Sequence, residues 1–362
     1  MTASKAWITV LVYFIIISSP INASSQHYND SSSGPKAKAA LLDTIVNIFQ
    51  TNSIYKNKVN WSDLKSELYS SIDYSSSNSV LAVIPAYIRL SKILNITHGG
   101  LIYKGTAYGA NNEGFQDMQN RISNTIQDAS GRNEYNFRVE VIGKKYGYIS
   151  IPPIDIEFSE DMEKVKLELV KKASVLQDSL CKLEGLGLKG LILDLRLNSG
   201  GSTVAMFGGL TSLYDKGTLF SFAMSNGSAQ KVNKEGKFIT FDRDTLVKLE
   251  SKCPSLNQLK LAVLISPNTA SAAEQIAISF KGRNKTIFIG ERTRGMTTGI
   301  QTVSIREDLT LDCAQMFSMD RNGNMFDSWV SPDITVVGGD DFESLQSDKK
   351  VQEAIKWLAD KK

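Results

Sequence analysis

A serine set where an apolar run gives way to a helical pattern is a candidate nucleophile, and this chain carries one at Ser271. The segment Asn268-Thr-Ala-Ser-Ala-Ala-Glu274 follows the strand-like run 261–266 and opens the helical pattern 272–279. Amides at a helix N-terminus favour negative charge that develops beside them. A second segment, Asp194-Leu-Arg-Leu-Asn-Ser-Gly-Gly201, ends the run 190–195 in paired glycines. Without a Cβ in the way, their backbone N–H groups can approach a reacting oxygen. Gly200 or Gly201, with Ala272, are the expected oxyanion donors. Taken singly, Ser271 reads as a helix N-cap and Gly200-Gly201 as a plain turn. Their occurrence together points to nucleophilic catalysis.

Such a serine needs a base. The chain has two histidines, His27 and His98, and His27 lies in a Ser-rich stretch near the N-terminus. That leaves His98 as the imidazole able to take a proton near neutral pH; without the serine motif it would read as an ordinary loop histidine.

The order 194–201, Thr-Ala-Ser-Ala-x-Glu at 269–274, Gly-Glu-Arg-Thr-Arg-Gly at 290–295 and Val-Ser-Pro-Asp at 330–333 resembles the tail-specific (C-terminal-processing) and tricorn-core family of serine peptidases. Residues 60–64, 94–98 and 146–151 extend the resemblance, which runs from about residue 40 to the C-terminus. It implies an α/β fold with an α+β core of the ClpP/crotonase-like type, a peptide or protein substrate, and no metal or organic cofactor. Within that family the base is a lysine just after the Gly-x-x-Thr-x-Gly motif or a histidine far upstream. Met296 stands where the lysine would be, so the resemblance assigns the base to His98, with Thr97 as its hydroxyl neighbour. An acid would hold the imidazole in its productive tautomer. The family places a Glu shortly before its Gly-Val-x-Pro-Asp motif; here Phe326 has that place, Asp327 follows, and Trp329 replaces the glycine. Asp327 is the candidate, Glu274 the alternative, and an absent acid the third arrangement. Asp194, Arg196, Glu291 and Arg292 read as supports of the cleft. The interval before the core is too short for a PDZ domain, so substrate choice falls to the cleft.

The elements that must position these residues follow from periodicity. Apolar residues at helical spacing (Leu41, Ile45, Ile48, Phe49; then Trp61, Leu64, Leu68) give a small helical N-terminal domain over 37–98, and 99–138 reads as a polar linker. The core domain spans 139–362. In it β-rich runs alternate with helices through 146–151, 161–186, 191–195, 204–214, 261–266, 272–280 and 286–290. Strands are expected at 297–303 and 308–319. Residues 348–358 read as an amphipathic helix with Val351, Ile355 and Leu358 on one face.

Residues 1–23 have the charge, apolar run and small residues of a signal peptide cleaved after Ala23, and 24–36 read as a flexible leader. The apolar run is shorter than the roughly 20 residues that span a bilayer, and no later run reaches that length. An exported protein, periplasmic or secreted and without stable membrane insertion, is expected. Lys plus Arg number 41 against 38 Asp plus Glu, a net charge of +3 spread along the chain. With no basic helix, zinc-spaced cysteines or nucleotide fingerprint, this excludes a nucleic-acid partner. The three cysteines, Cys181, Cys253 and Cys313, allow one disulfide and a free thiol, with a staple between Cys253 and Cys313 as one arrangement, or three buried thiols.

Three functions remain on this reading. They are a serine endopeptidase, a non-catalytic binding protein on the same fold, and an esterase or acyl-transfer enzyme.

Overall fold

The computed structural model describes residues 34–109, 119–157, 161–241, 244–247 and 253–360. The expected signal peptide, and its leader as far as residue 33, lie outside them. Three helices come first, α1 (Pro35–Asn52), α2 (Trp61–Ser70) and α3 (Ser79–Leu94), then strands β1 (Gly100–Tyr103) and β2 (Thr106–Tyr108) and helix α4 (Asn124–Ser130). They are followed by β3 (Val139–Ile142), β4 (Tyr146–Ser150), α5 (Met162–Cys181), β5 (Gly190–Asp194) and α6 (Thr203–Gly209). A meander of β6 (Gly217–Met224), β7 (Ala229–Glu235), β8 (Phe238–Phe241) and β9 (Asp244–Val247) precedes β10 (Lys260–Ile265), α7 (Ala272–Phe280) and β11 (Thr286–Gly290). Then come β12 (Gly299–Arg306), β13 (Leu309–Asp320), β14 (Met325–Phe326), β15 (Ile334–Thr335) and α8 (Lys349–Ala359). The architecture is mixed α/β, as the alternation of patterns implies.

Two compact units divide the chain. Of the described residues, one takes those up to 109 with 299–316, the other those from 119 to 298 with 317–360. In the first, Leu41, Leu42, Ile45 and Phe49 of α1 are buried at the expected helical spacing. The side chains of Asn60 and Asn78 cap α2 and α3 by accepting first-turn amides. At the end of α3, Asn95 takes the left-handed conformation (φ 53°) and Ile96 N–H bonds back to Ser91 O at 2.9 Å. Strand β1 pairs antiparallel with both β2 and β13, in the register Gly100↔Asp312. Gly99, at φ 109°, passes so close to β13 that a Cβ would collide with the Asp312 carbonyl oxygen. His98 is thereby fixed between a helix cap and a strand start.

The second unit is built on a six-stranded sheet ordered β15-β11-β10-β5-β4-β3. All its neighbours are parallel except β3 against β4. Gly190-Leu-Ile-Leu-Asp194 is buried at every position. Such an uninterrupted apolar run suits a parallel strand covered on both faces. On one face Val351, Ala354 and Leu358 of α8 pack on Ile192, Ala262, Leu264 and Ile289, while Ile355 is only partly buried.

Part of the interval read as linker is structured. Besides β1 and β2, it holds α4, whose Ile126 and Ala129 bury themselves with the flanking Ile122 and Tyr135 and with Leu197 and Phe342. Helix α5 is tied by a disulfide from Cys181 to Cys253, Cα–Cα 5.4 Å, and Cys313 is a free buried thiol. The expected alternatives of a Cys253–Cys313 staple or three thiols are thus corrected: Cys253 is bonded to Cys181, and Cys313 sits buried inside β13, opposite Gln301 of β12.

Candidate active site

Parallel pairing brings the ends of four strands to one edge. Ser150 is in register with Asp194, Asp194 with Leu264, and Ile265 with Gly290, so the chain leaves β4, β5, β10 and β11 at the same edge of the sheet. Open α/β sheets hold their sites at this edge. The Gly-Gly turn and the Ser271 turn, 70 residues apart in sequence, become neighbours because β5 and β10 are adjacent strands.

Ser271 is buried at the N-cap of α7 with φ 53° and ψ −118°. An L residue there costs about 1–3 kcal/mol unless its surroundings hold it. They do. Thr269 Oγ1 donates to Leu195 O at 2.8 Å, Ser266 Oγ to Arg196 O at 2.8 Å, and Ala270 N–H to Asn198 O at 3.2 Å. These bonds stitch the serine turn to the end of β5.

Asn198 shapes the other turn. Its Nδ2 donates to Pro152 O at 2.9 Å and its Oδ1 accepts Gly200 N–H at 2.9 Å. Gly201 forms a parallel bridge with Ile154: Ile154 N–H donates to Gly200 O and Ser202 N–H to Ile154 O. In that pattern the N–H of Gly201 points away from Ile154. Gly200 (φ 125°) lies against the serine, since a Cβ there would stand 3.1 Å from Ser271 Cβ and 3.6 Å from its Oγ. Of the three amides expected as oxyanion donors, that of Gly200 is therefore occupied by Asn198. Among the described residues no hydrogen bond takes the N–H of Gly201 or Ala272.

Glu274 is fully buried one turn into α7. Its carboxylate accepts Ser271 N–H (2.9 Å), Thr293 Oγ1 (2.5 Å), Gly295 N–H (2.7 Å) and Met296 N–H (2.7 Å). Burial pushes its pKa up to about 7 against the opposing pull of these donors. Thr293 in turn pairs by both N–H and Oγ1 with Val330. The Gly-Glu-Arg-Thr-Arg-Gly segment is thus the strap that clamps the first turn of α7. The sequence signal for this role was the Ser-x-x-Glu spacing of a capping box.

Met296 offers no proton acceptor. Lys281 caps the opposite end of α7, where its Nζ donates to Ser331 O at 3.1 Å. Nine helical residues at 1.5 Å each separate it from Ser271. In the first unit Thr97 is half-buried and His98 buried. Asp327 is exposed, and among the described residues no hydrogen bond or ion pair holds its carboxylate.

Arg196 anchors the Gly-Gly turn from beneath. Fully buried, it bonds Asp194 Oδ2 (2.6 Å), Asp340 Oδ1 (2.7 Å) and Asp348 Oδ2 (2.7 Å), the last being the N-cap of α8. Tyr148 OH donates to Asp194 Oδ2 at 2.8 Å. Arg196 and the carboxylates around it are structural.

The model of Peptidase family S41 matches residues 145–336, more than half of the 362-residue chain and the whole of this loop cluster. The nisin-resistance protein of Lactococcus lactis subsp. lactis is 30% identical over 188 residues, 51% of this chain and 54% of that protein. The chloroplastic C-terminal processing peptidase of Tetradesmus obliquus is 33% identical over 127 residues, 35% of this chain and 24% of that protein. The chain therefore matches about half the length of the first relative and about a quarter of the second. A solved lipoprotein structure from Streptococcus agalactiae superposes with a TM-score of 0.62 over 90% of this chain and 96% of that one; at 20% identity the likeness is one of fold.

Proposed function

This chain belongs to peptidase family S41, and we propose that it is an exported serine endopeptidase using a Ser271–His98 dyad. Ser271 Oγ attacks the peptide carbonyl while His98 takes the proton and returns it to the leaving amine. The amides of Gly201 and Ala272 receive the oxyanion. Gly200 contributes its missing side chain rather than its amide. The observation that carries this reading is the approach of Gly200 to Ser271, 3.1 Å from a virtual Cβ to Ser271 Cβ, beside two backbone amides without a described partner. Preorganised donors of this kind supply the largest electrostatic part of acyl transfer.

Glu274 is engaged by four donors and Asp327 by none among the described residues, so the task of steadying the imidazole is assigned to Thr97. That the T. obliquus relative is a C-terminal processing peptidase supports a peptide or protein as the substrate. Export is supported by the N-terminal segment, the lipoprotein neighbour and the disulfide, which forms in oxidising compartments. No helix among the described residues is long and apolar enough to cross a membrane.

A non-catalytic binding protein is the second reading, favoured by the exposure of Asp327, the candidate orienting acid. Turnover of paired amide and ester peptide substrates by the purified chain and by Ser271→Ala separates the readings. Amide hydrolysis lost in the variant supports the peptidase; ester hydrolysis alone would make it an esterase, and no turnover of either would favour the binder.

A further inference from the structure

Arg294 carries a guanidinium that the protein itself barely uses. Nη2 donates to Asn268 Oδ1 at 3.2 Å, and Nε is buried with no acceptor among the described residues. No described ion pair reaches it. The carboxylate whose charge acts on it, that of Glu274, already accepts four other donors. Burial pulls the guanidinium below its ordinary pKa, as expected where desolvation is not offset by a partner.

Arg196 and Arg283, the two arginines of this unit whose side chains are buried most deeply, are treated differently. Arg196 meets three carboxylates. Arg283 donates to the carbonyls of Leu213, Asn257, Leu259 and Asn284 and to Thr286 Oγ1. A guanidinium presents five N–H donors in a planar fork whose geometry matches a carboxylate. Arg294 keeps most of that fork unspent.

Its place gives the unspent donors a meaning. The backbone N–H of Arg294 donates to Thr269 O at 2.9 Å, and Asn268, which holds the guanidinium, stands three residues before Ser271 on the same turn. The next two amides, of Gly295 and Met296, clamp Glu274 at the start of α7. The side chain therefore belongs to the wall of the Ser271 turn.

Resting on the peptidase reading, we propose that Arg294 is a specificity-determining residue that binds a carboxylate of the peptide substrate beside Ser271. The carboxylate comes from an Asp or Glu side chain or from the substrate C-terminus. Either supplies oxygens for the donors that the guanidinium has left over.

The test is equilibrium binding to the full-length Ser271→Ala protein, which does not require turnover. Three labelled peptides are compared: one with a free C-terminus and internal Gln, one amidated with internal Glu, and one amidated with internal Gln. At least one carboxylate-bearing peptide should bind tenfold or more tightly than the neutral one, and which of them does identifies the source. The preference should vanish in Ser271→Ala/Arg294→Gln and survive in part in Ser271→Ala/Arg294→Lys, each shown by cooperative melting to be folded. Equal binding of all three peptides, or a preference that persists in the Gln variant, would overturn the inference. Serine reactivity of the wild type is measured separately, so an unreactive Ser271 with Arg294-dependent binding would sink the peptidase reading alone.

Discussion

Glu274 and Ser271 are locked together through the backbone: the carboxylate three residues on accepts the N–H of Ser271 at 2.9 Å, while Oε2 also accepts Met296 N–H at 2.7 Å. One buried side chain thus fixes the backbone of the nucleophile and the strap beside it. Glu274→Gln keeps the shape but turns an NH2 toward backbone donors. Losing one such buried bond costs about 1–3 kcal/mol. Because the bond holds Ser271 in its rare φ, reactivity with a serine-directed phosphonate should fall at least about tenfold, the equivalent of roughly 1.4 kcal/mol.

The same carboxyl gives a pH dependence. Its pKa is raised from 4.5 to about 7 in the fold, chiefly by burial. The stability it contributes is complete below the unfolded value and is lost as pH rises through about 7. At 1.36 kcal/mol per unit this amounts to about 3 kcal/mol. Urea midpoints of the wild type should therefore decline relative to those of Glu274→Gln between pH 5 and pH 8; parallel curves would refute the assignment.

The two glycines should respond differently to alanine. At Gly200 the new Cβ meets Ser271 Cβ at 3.1 Å, a contact a small shift relieves, so the variant folds and loses phosphonate reactivity. At Gly201 it runs into the Ile154 backbone, including Ile154 N at 2.8 Å. Positive φ strains an alanine at both positions (125° and 107°) by about 1–3 kcal/mol, but backbone cannot yield as a side chain does, so the collision with Ile154 is what separates them. Gly201→Ala should lower the melting temperature by well over the shift seen for Gly200→Ala.

The positions of these residues were legible to different depths in the sequence. Ser271 and the Gly-Gly turn stood out because residue type and a preceding apolar run coincide, and parallel strands fixed their nearness. The meander β6–β9 has no such signal. Its strand β7, Ala229–Glu235, alternates buried and exposed positions with Lys234 facing inward, where burial lowers the lysine pKa and Tyr214 O accepts its Nζ. A lysine at an inward position breaks the apolar pattern that announces a strand. Strand β2 is hidden for a similar reason, since it buries no residue fully. The role of Glu274 needed the fold, because Thr293, Gly295 and Met296 reach it only through the return of β11.

The buried ion cluster under the Gly-Gly turn is expected to be brittle. Arg196→Met leaves Asp194, Asp340 and Asp348 facing one another with no guanidinium between them. Breaking a buried pair in this way costs about 3–5 kcal/mol. Urea denaturation should show a loss in that range, and a loss under 1 kcal/mol would mean the cluster is not what holds the turn.

Reduction should also weaken the second unit. The Cys181–Cys253 bond joins residues 72 apart, and the chain-entropy model gives about 4 kcal/mol for a loop of that length. Thermal melting with and without a thiol reductant should differ by several degrees, and Cys313→Ala should leave the difference intact.

The central claim is that Ser271 is an activated nucleophile. A fluorophosphonate probe applied to the purified protein, with the modified residue mapped by peptide mass spectrometry, tests it directly. The account predicts a single adduct on Ser271 that disappears in Ser271→Ala and in His98→Ala. A folded wild-type protein that stays unlabelled, or label that persists in Ser271→Ala, would contradict it.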